Sequence, residues 1–192
     1  MRPELEKLFF KSVVQAVVNE EEELNNLFAN NSEEYKTLLP YGVSCLFETT
    51  YVYIIIKQLL KNKFPLLLSW EHPYPSNNNL KADLALLNDK NDINSFVEFK
   101  IWESEDAKEI KSDIDKLKQE TEVSDKYIVA IEYNSEHIDE NGKFLGDELE
   151  LEVIYKTRLI TSFFEDDNNK QVPMNIYFTK INKNKIFYVS CL

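Results

Sequence analysis

The stretch that decides the fold is ADLALL at residues 82–87, followed by NDKNDIN at 88–94 and SFVEFKIW at 95–102. Its two outer segments are short and mostly apolar, and the second is rich in aromatic and β-branched residues, which is typical of β-strands. The polar segment between them predicts a turn, so the two strands should form an antiparallel hairpin. Since side chains alternate between the faces of a strand, Glu98 and Lys100 are expected on one face and Phe99 on the other.

Asp83 opens the first of these strands, and its partner follows from the position of the turn. If the turn centres between Lys90 and Asn91, Asp83 pairs with Glu98, and their Cβ atoms lie about 5 Å apart on the same face. Two carboxylates at this separation repel each other, so one of them tends to take up a proton. A bound divalent cation would remove the conflict, and Mg²⁺ is commonly held by one or two carboxylates, water and phosphate oxygens. The pattern therefore predicts a Mg²⁺ site, in which Mn²⁺ could substitute, suited to phosphodiester hydrolysis.

Lys100 is expected beside this cation. Three roles are open to it: orienting the attacking water, deprotonating that water, or neutralising charge in the transition state.

The spacing of these residues resembles a known signature. Asp83, fourteen intervening residues and the tripeptide Glu98-Phe99-Lys100 look like the motif of the PD-(D/E)XK nucleases. The strand, hairpin, strand and helix around the motif follow the family's order, and the resemblance covers roughly residues 44–132. The chain departs from the pattern at one place, because the residue before Asp83 is alanine and not proline.

The resemblance implies a restriction-endonuclease-like fold of the α/β or α+β class, with a central mixed β-sheet flanked by helices. It implies a metal-dependent nuclease in which Asp83 and Glu98 bind the metal and Lys100 is catalytic. The backbone carbonyl of Phe99 and the carboxylate of Glu48, on a core helix before the sheet, would complete the site. The substrate would be DNA more readily than RNA, in restriction, repair or defence. The rival interpretation is a fold of this kind that no longer cuts and serves as an interaction module.

The remaining elements are predicted from the spacing of apolar residues. Helices are expected at residues 4–18, 44–62 (with Ser44 as the N-cap), 104–120 and 148–164, although LELEV in the last of these alternates like a strand. Strands are expected at 66–70, where the strand would be buried, at 126–133, and at 174–181 and 185–192 as a hairpin. Surface loops are expected at 72–79 and 135–148, and residues 20–23 either extend the first helix or begin a second one.

Length and composition indicate one domain, 1–192, with residues 1–40 as a helical N-terminal extension. With 192 residues, 43% of them hydrophobic, the chain can form one sizeable core. It has no apolar run long enough to cross a membrane and no signal-peptide pattern, so a cytoplasmic location and no membrane partner are expected. Cys45 and Cys191 are expected to be free buried thiols.

The net charge of −12 argues against a passive nucleic-acid binder. All 34 acids lie in residues 1–167, whereas 168–192 carry four lysines and no acid. DNA contacts are therefore expected from 168–192, from the lysines at 57, 61 and 63, and from the bound metal. Sequence specificity would come from loops such as 71–81 and 134–148, or from a second subunit in a homodimer or a complex with a partner.

Several other residues have a plain structural interpretation. Trp102 is expected in the core, Lys116 and Gln119 on a solvated helix face, and His72 and His137 in loops. Glu48 is left open between an exposed helix position and a site residue. The histidines and cysteines have no zinc-site spacing, and the chain has no glycine-rich phosphate loop.

Overall fold

A computed structural model describes residues 1–29, 43, 46–102, 107–123, 125–133, 138–165 and 170–181. In chain order the elements are α1 (Pro3–Ala29), α2 (Glu48–Lys61), β1 (Leu67–Tyr74), β2 (Asn77–Leu87), β3 (Ile93–Trp102), α3 (Lys108–Gln119), β4 (Asp125–Tyr133), α4 (Ile138–Asp147), β5 (Leu151–Glu165) and β6 (Lys170–Ile181).

The six strands form one mixed sheet in the order β1-β2-β3-β4-β6-β5. β3 and β4 run parallel with α3 as their crossover, and the other neighbouring pairs are antiparallel. Helices cover both faces of the sheet, so the predicted class, α+β with a central mixed sheet, is observed.

The core has two parts, one on each face. Helices α1 and α2 cover the first face, where the buried residues include Phe9, Val13, Ile55, Leu84 and Phe99. Helices α3 and α4 cover the second face, where they include Phe96, Trp102, Ile114 and Leu145. Burying one such side chain stabilises the fold by about 1.5–3 kcal/mol. Because Phe99 is buried on the first face, alternation puts Glu98 and Lys100 on the second.

The predicted register of the central hairpin is observed. Leu84 pairs with Val97 and Ala85 with Phe96, the register in which Asp83 comes opposite Glu98. The turn is closed by backbone hydrogen bonding from Asn88 to the carbonyl of residue 92.

The expectation of a buried strand at 66–70 followed by a loop at 72–79 is wrong. β1 is an edge strand that continues to Tyr74, and β2 already begins at Asn77. Trp70 is 46% exposed. Prolines and asparagines suggested a loop, but an edge strand tolerates a proline such as Pro73, and the solvent-exposed end of a hairpin tolerates polar residues.

Two expectations in the C-terminal half are also wrong. The predicted loop 135–148 contains α4, which buries Gly142 and Leu145. The predicted helix 148–164 is β5, so the alternation in LELEV was the better signal. Both edges of β6 are paired, with β4 and β5. The strand predicted at 185–192 lies outside the described residues.

Helix ends differ from the sequence expectation. α1 is one helix through Ala29, so residues 20–23 extend it. α2 begins at Glu48 with Phe47 in the N-cap position and no side-chain cap, so the N-cap predicted at Ser44 is wrong. α3 begins at Lys108 and not at residue 104. Ser44, residues 103–106, both cysteines and His137 lie outside the described residues.

Among the described residues, no helix is both long enough and apolar enough to span a membrane.

Candidate active site

The central hairpin opens at one point, and the predicted site residues lie there. Pairing between β2 and β3 ends at Leu84 and Val97. Beyond that point β2 continues beside β1, and β3 continues beside β4 as far as Trp102. Asp83 and Glu98 are therefore the first residues of a gap between the two strands, which we call the fork.

Carboxylates replace the missing ladder hydrogen bonds at the fork. The Phe99 N–H donates to Asp83 Oδ2 at 2.8 Å, and the Asp83 N–H donates to Glu98 Oε2 at a long 3.4 Å. A buried N–H without a partner costs about 1–3 kcal/mol. The two side chains therefore supply the acceptors that the separated strands no longer provide. The structure thus brings Asp83 and Glu98 together. The Phe99 backbone contributes its N–H to this contact, and metal ligation by its carbonyl stays a prediction.

Glu98 is a buried carboxyl group with a like-charged neighbour. Its residue exposure is 4%. Burial, the charge of Asp83 and a hydrogen bond between the two carboxyl groups raise the pKa of Glu98 to about 9. The Tyr74 hydroxyl donates a hydrogen bond to Glu98 Oε1, which offsets part of this rise. Glu98 therefore holds a proton at neutral pH when no cation is bound.

Lys100 lies between carboxylates from opposite faces of the sheet. Its Nζ is 3.2 Å from Glu48 Oε1 on α2 and 3.2 Å from Asp113 Oδ2 on α3. Burial lowers the pKa of Lys100, but the charges of Asp113 and Glu48 outweigh that effect and hold the pKa above its ordinary value. Lys100 is thus an ammonium group whose position two helices fix.

Glu48 lies on α2 beside Lys100. It occupies the first turn of α2, where a carboxylate interacts favourably with the helix dipole. Burial raises the pKa of Glu48, and the nearby Lys100 lowers it in part. Glu48 forms an ion pair with Lys100, so the structure gives it a place beside the lysine.

Asp113 was missed by the sequence analysis, although a signal was present. Apolar residues at 110, 114 and 117 mark the buried face of α3, and Asp113 lies on that same face with 3% exposure. Its Oδ1 is 2.6 Å from Lys116 Nζ, whereas its Oδ2 accepts no hydrogen bond among the described residues and faces Lys100 as an ion pair. An acid within an apolar helical stripe is the pattern that could have identified it.

Tyr74 was also missed, and no local pattern would have found it. Glu71 has a φ of 47°, in the left-handed region. Trp70, before it, lies against Tyr53 of α2, whereas Tyr74, after it, is buried with the second-face cluster and reaches Glu98. The irregular backbone at Glu71 coincides with this change of face.

Four further expectations can be compared with the structure. Trp102 is 2% exposed, in the core as expected. Gln119 is exposed on α3, whereas Lys116 is paired with Asp113 and is only partly exposed. His72 lies on β1 and not in a loop.

The basic segment 168–192 is less available than its charge suggested. Lys180 Nζ lies 2.7 Å from Asp125 Oδ1 and 3.3 Å from Glu6 Oε1. These ion pairs occupy Lys180 within the fold. Residues 182–192 lie outside the described part of the chain.

The donor set at the fork was compared with what a metal ion requires. Within the described ranges, no three histidine, cysteine, aspartate or glutamate side chains converge to hold a cation by themselves. Mg²⁺ needs fewer protein ligands, because it keeps several waters and uses one or two carboxylates with substrate phosphate oxygens. The Asp83–Glu98 pair, in which burial and the charge of Asp83 raise the pKa of Glu98, fits that requirement.

Comparison with protein-family models, with curated proteins and with solved structures gave no match to this chain.

Proposed function

We propose that this protein is a metal-dependent nuclease with a restriction-endonuclease-like fold, which hydrolyses phosphodiester bonds in DNA more readily than in RNA. The observation that carries the proposal is the fork, where two crowded carboxyl groups lie beside a lysine held as an ammonium. Such a group of mutually perturbed charges is expensive for stability and is typical of functional sites. The match of Asp83 and Glu98-Phe99-Lys100 to the PD-(D/E)XK pattern supports the same activity.

Asp83 and Glu98 would hold Mg²⁺ or Mn²⁺ together with the Phe99 carbonyl. Bound there, the cation would supply polarisation of the scissile phosphate and an activated water. Glu98 must lose its proton to act as a ligand. Tyr74 would orient Glu98 throughout, because its hydroxyl donates to one oxygen and leaves the other available.

Lys100 would act as a cation. Its raised pKa argues against deprotonation of water, which requires a neutral amine. The two remaining roles, orienting the water and neutralising charge on the phosphate, both need the ammonium form. Glu48 and Asp113 would be positioning residues that fix Lys100 from opposite faces. For Glu48, this role accounts for the observed contact better than direct metal ligation does.

The test is cleavage of supercoiled plasmid by the purified protein with Mg²⁺, with Mn²⁺ and with EDTA. We expect nicked or linear product with either cation and none with EDTA. Asp83→Asn should abolish cleavage, because it removes a metal ligand with little change in shape. Asp115→Asn is the matched control, since Asp115 is an exposed acid on α3. Cleavage that survives in Asp83→Asn would refute the assignment.

The alternative is an interaction module that no longer cuts. The net charge of −12 favours it, because a chain so acidic repels a polyanion at long range. The same assay separates the two functions, since a module of this kind would cut plasmid under none of the conditions. Restriction, repair and defence are the candidate biological settings for an active enzyme.

A further inference from the structure

One region of this acidic chain has the opposite charge balance. Residues 49–82 contain four lysines, at positions 57, 61, 63 and 81, and a single acid, Glu71. The whole chain has 34 acids against 22 basic residues. Glu71 pairs with Lys81 at 3.0 Å, and both are exposed. The lysines of α2 and of the turn after it are therefore the basic part of this surface.

Two aromatic rings lie exposed in the same region. Tyr53 on α2 is 49% exposed and Trp70 on β1 is 46% exposed. Their ring centroids are 6.3 Å apart at an interplanar angle of 37°, and Lys57 Nζ lies 5.3 Å from the centroid of the Tyr53 ring. We call Tyr53, Lys57 and Trp70 the aromatic platform. Large rings left half in water, with a cation beside them, are the usual components of a surface that stacks nucleobases.

The aromatic platform adjoins the fork. Trp70 pairs across the strands with Leu84, which is buried on the first face, and the preceding residue, Asp83, faces the second. Tyr53 follows Glu48 by five residues on α2, which is about 7.5 Å along a helix axis. A nucleotide on the platform would thus lie within a few nucleotides of a phosphate at the fork.

We propose that the aromatic platform binds an unpaired base, so that the substrate strand is single-stranded where it passes from α2 and β1 to the fork. Stacking requires a base with a free face, and inside a duplex both faces of each base are already covered by neighbours. Lys57, Lys61 and Lys63 supply positive charge for the backbone of that strand. The inference rests on the proposed function and specifies the form of its substrate.

Tryptophan fluorescence can report on the platform separately from the core. The chain has two tryptophans, of which Trp70 is exposed and Trp102 is buried. Oligo(dT) added to the parent protein in Ca²⁺ buffer should quench tryptophan emission, because stacked bases quench an indole ring. Trp70→Phe should abolish the quenching but retain binding by anisotropy, since phenylalanine still stacks. Trp70→Ala should lose both, with affinity about tenfold weaker or more, the factor that corresponds to about 1.4 kcal/mol.

Ile160→Ala is the matched control, since Ile160 is an apolar residue of β5, on the opposite edge of the sheet, with 59% exposure. It should bind oligo(dT) as the parent does. Equal binding by Trp70→Ala and the parent would overturn the proposal, as would a parent that binds no oligo(dT). A fully paired duplex that binds as tightly and depends on Trp70 equally would also overturn it. The proposal would also be overturned if Trp70 emission shifted with protein concentration in the absence of oligo(dT), because a second copy of the chain would then cover the platform.

The two proposals can fail separately. If oligo(dT) quenches Trp70 emission but Mg²⁺ supports cleavage of neither plasmid nor single strands, the nuclease proposal fails and the platform proposal stands. If the parent cuts plasmid while Trp70→Ala binds and cuts single strands normally, the platform fails and the nuclease proposal stands.

Discussion

Glu98 and Glu132 are both buried glutamates, on the adjacent strands β3 and β4, and their surroundings differ. Glu132 is fully buried and accepts hydrogen bonds from Asn141 Nδ2 at 2.6 Å, Asn175 Nδ2 at 3.1 Å and the Tyr177 hydroxyl at 3.0 Å. All three partners are uncharged donors, and they come from α4 and β6.

Glu98 has the Tyr74 hydroxyl, one long backbone contact and a second carboxyl group as its neighbours. A fully hydrogen-bonded buried charge contributes to a specific fold, whereas a buried charge placed beside a like charge destabilises it. The comparison indicates that Glu132 stabilises the sheet and that the surroundings of Glu98 disfavour its charged form. Each prediction below alters one side of this comparison.

The largest effect on activity is expected from removing the ammonium group of Lys100. Lys100→Ala should lower the rate of plasmid cleavage by about 10²–10⁴, the range for losing one positioned catalytic group. Mg²⁺ should still raise the melting temperature of the variant, because Asp83 and Glu98 remain. Single-turnover cleavage and thermal melts measure the two quantities.

The matched control is Lys118→Ala, since Lys118 lies on α3 in a surface ion pair with Glu150 at 3.6 Å. Its loss should leave cleavage unchanged. A Lys100→Ala variant that cuts at the parent rate would show that the lysine has only a structural role.

The same substitution should have different effects at the two glutamates. Glu132→Gln replaces a carboxylate that accepts three hydrogen bonds by an amide whose NH₂ group faces a donor. We expect a loss of about 3 kcal/mol in the free energy of unfolding, or about 6–12 °C in melting temperature for a chain of this size.

Glu98→Gln should leave stability unchanged at neutral pH in metal-free buffer, because a neutral amide replaces a carboxyl group that is already protonated, and its NH₂ group can donate to Asp83. Near pH 9 the substitution should raise stability, because Glu98 of the parent then carries a charge beside Asp83. Chemical denaturation of both variants gives the comparison. Similar losses at both positions would mean that Glu98 is a structural residue like Glu132.

The fold and the fork were predictable from the sequence to different extents. The polar turn between the apolar segments 82–87 and 95–102 was sufficient for the central hairpin and its register, because a turn centred between Lys90 and Asn91 fixes which residues pair. The edge strand β1, by contrast, fully buries only Tyr74, so burial imposes no clear alternation on it. Its proline and the asparagines that begin β2 suggested a loop.

Long-range contacts explain what the sequence analysis missed at the fork. Tyr74 on β1 reaches Glu98 on β3 across the intervening strand β2, and Asp113 meets Lys100 only when α3 packs on the sheet. At β5 the alternation of a strand was present, but a helical pattern of similar strength competed with it within 148–164. Residues 135–148, which contain α4, were predicted as a surface loop.

The pH dependence of stability should follow the raised pKa of Glu98. Between its ordinary value of 4.5 and its folded value of about 9, the folded protein retains a proton that the unfolded chain has lost. The contribution of this group to stability is therefore fully present below pH 4.5 and is lost as the pH rises toward 9. Since one extra bound proton corresponds to about 1.4 kcal/mol per pH unit, we expect a loss of about 3–4 kcal/mol between about pH 6 and pH 9.

Urea titrations of the metal-free protein at several pH values measure this loss. Glu98→Gln should flatten the dependence and Glu132→Gln should preserve it. Stabilisation by Mg²⁺ should grow over the same range, because the metal and the proton compete for Glu98. A pH profile that is the same in Glu98→Gln and the parent would contradict the assignment.

The smallest effect concerns nucleic-acid binding, where the carboxylates of the fork act at short range. Ca²⁺ should tighten the binding of labelled oligo(dT) by about tenfold relative to EDTA, because it neutralises the charges nearest the bound phosphate. The effect of Ca²⁺ should vanish in Glu98→Gln and persist in Glu132→Gln.

Lys180 is held by Glu6 and Asp125, so we expect the contacting lysines of the described chain to be those at 57, 61 and 63. Three such contacts on a single strand predict a slope of about −2 for log affinity against log salt concentration. A slope several times steeper, with no response to Ca²⁺, would place the binding surface away from the fork and leave Glu98, like Glu132, without a role in binding.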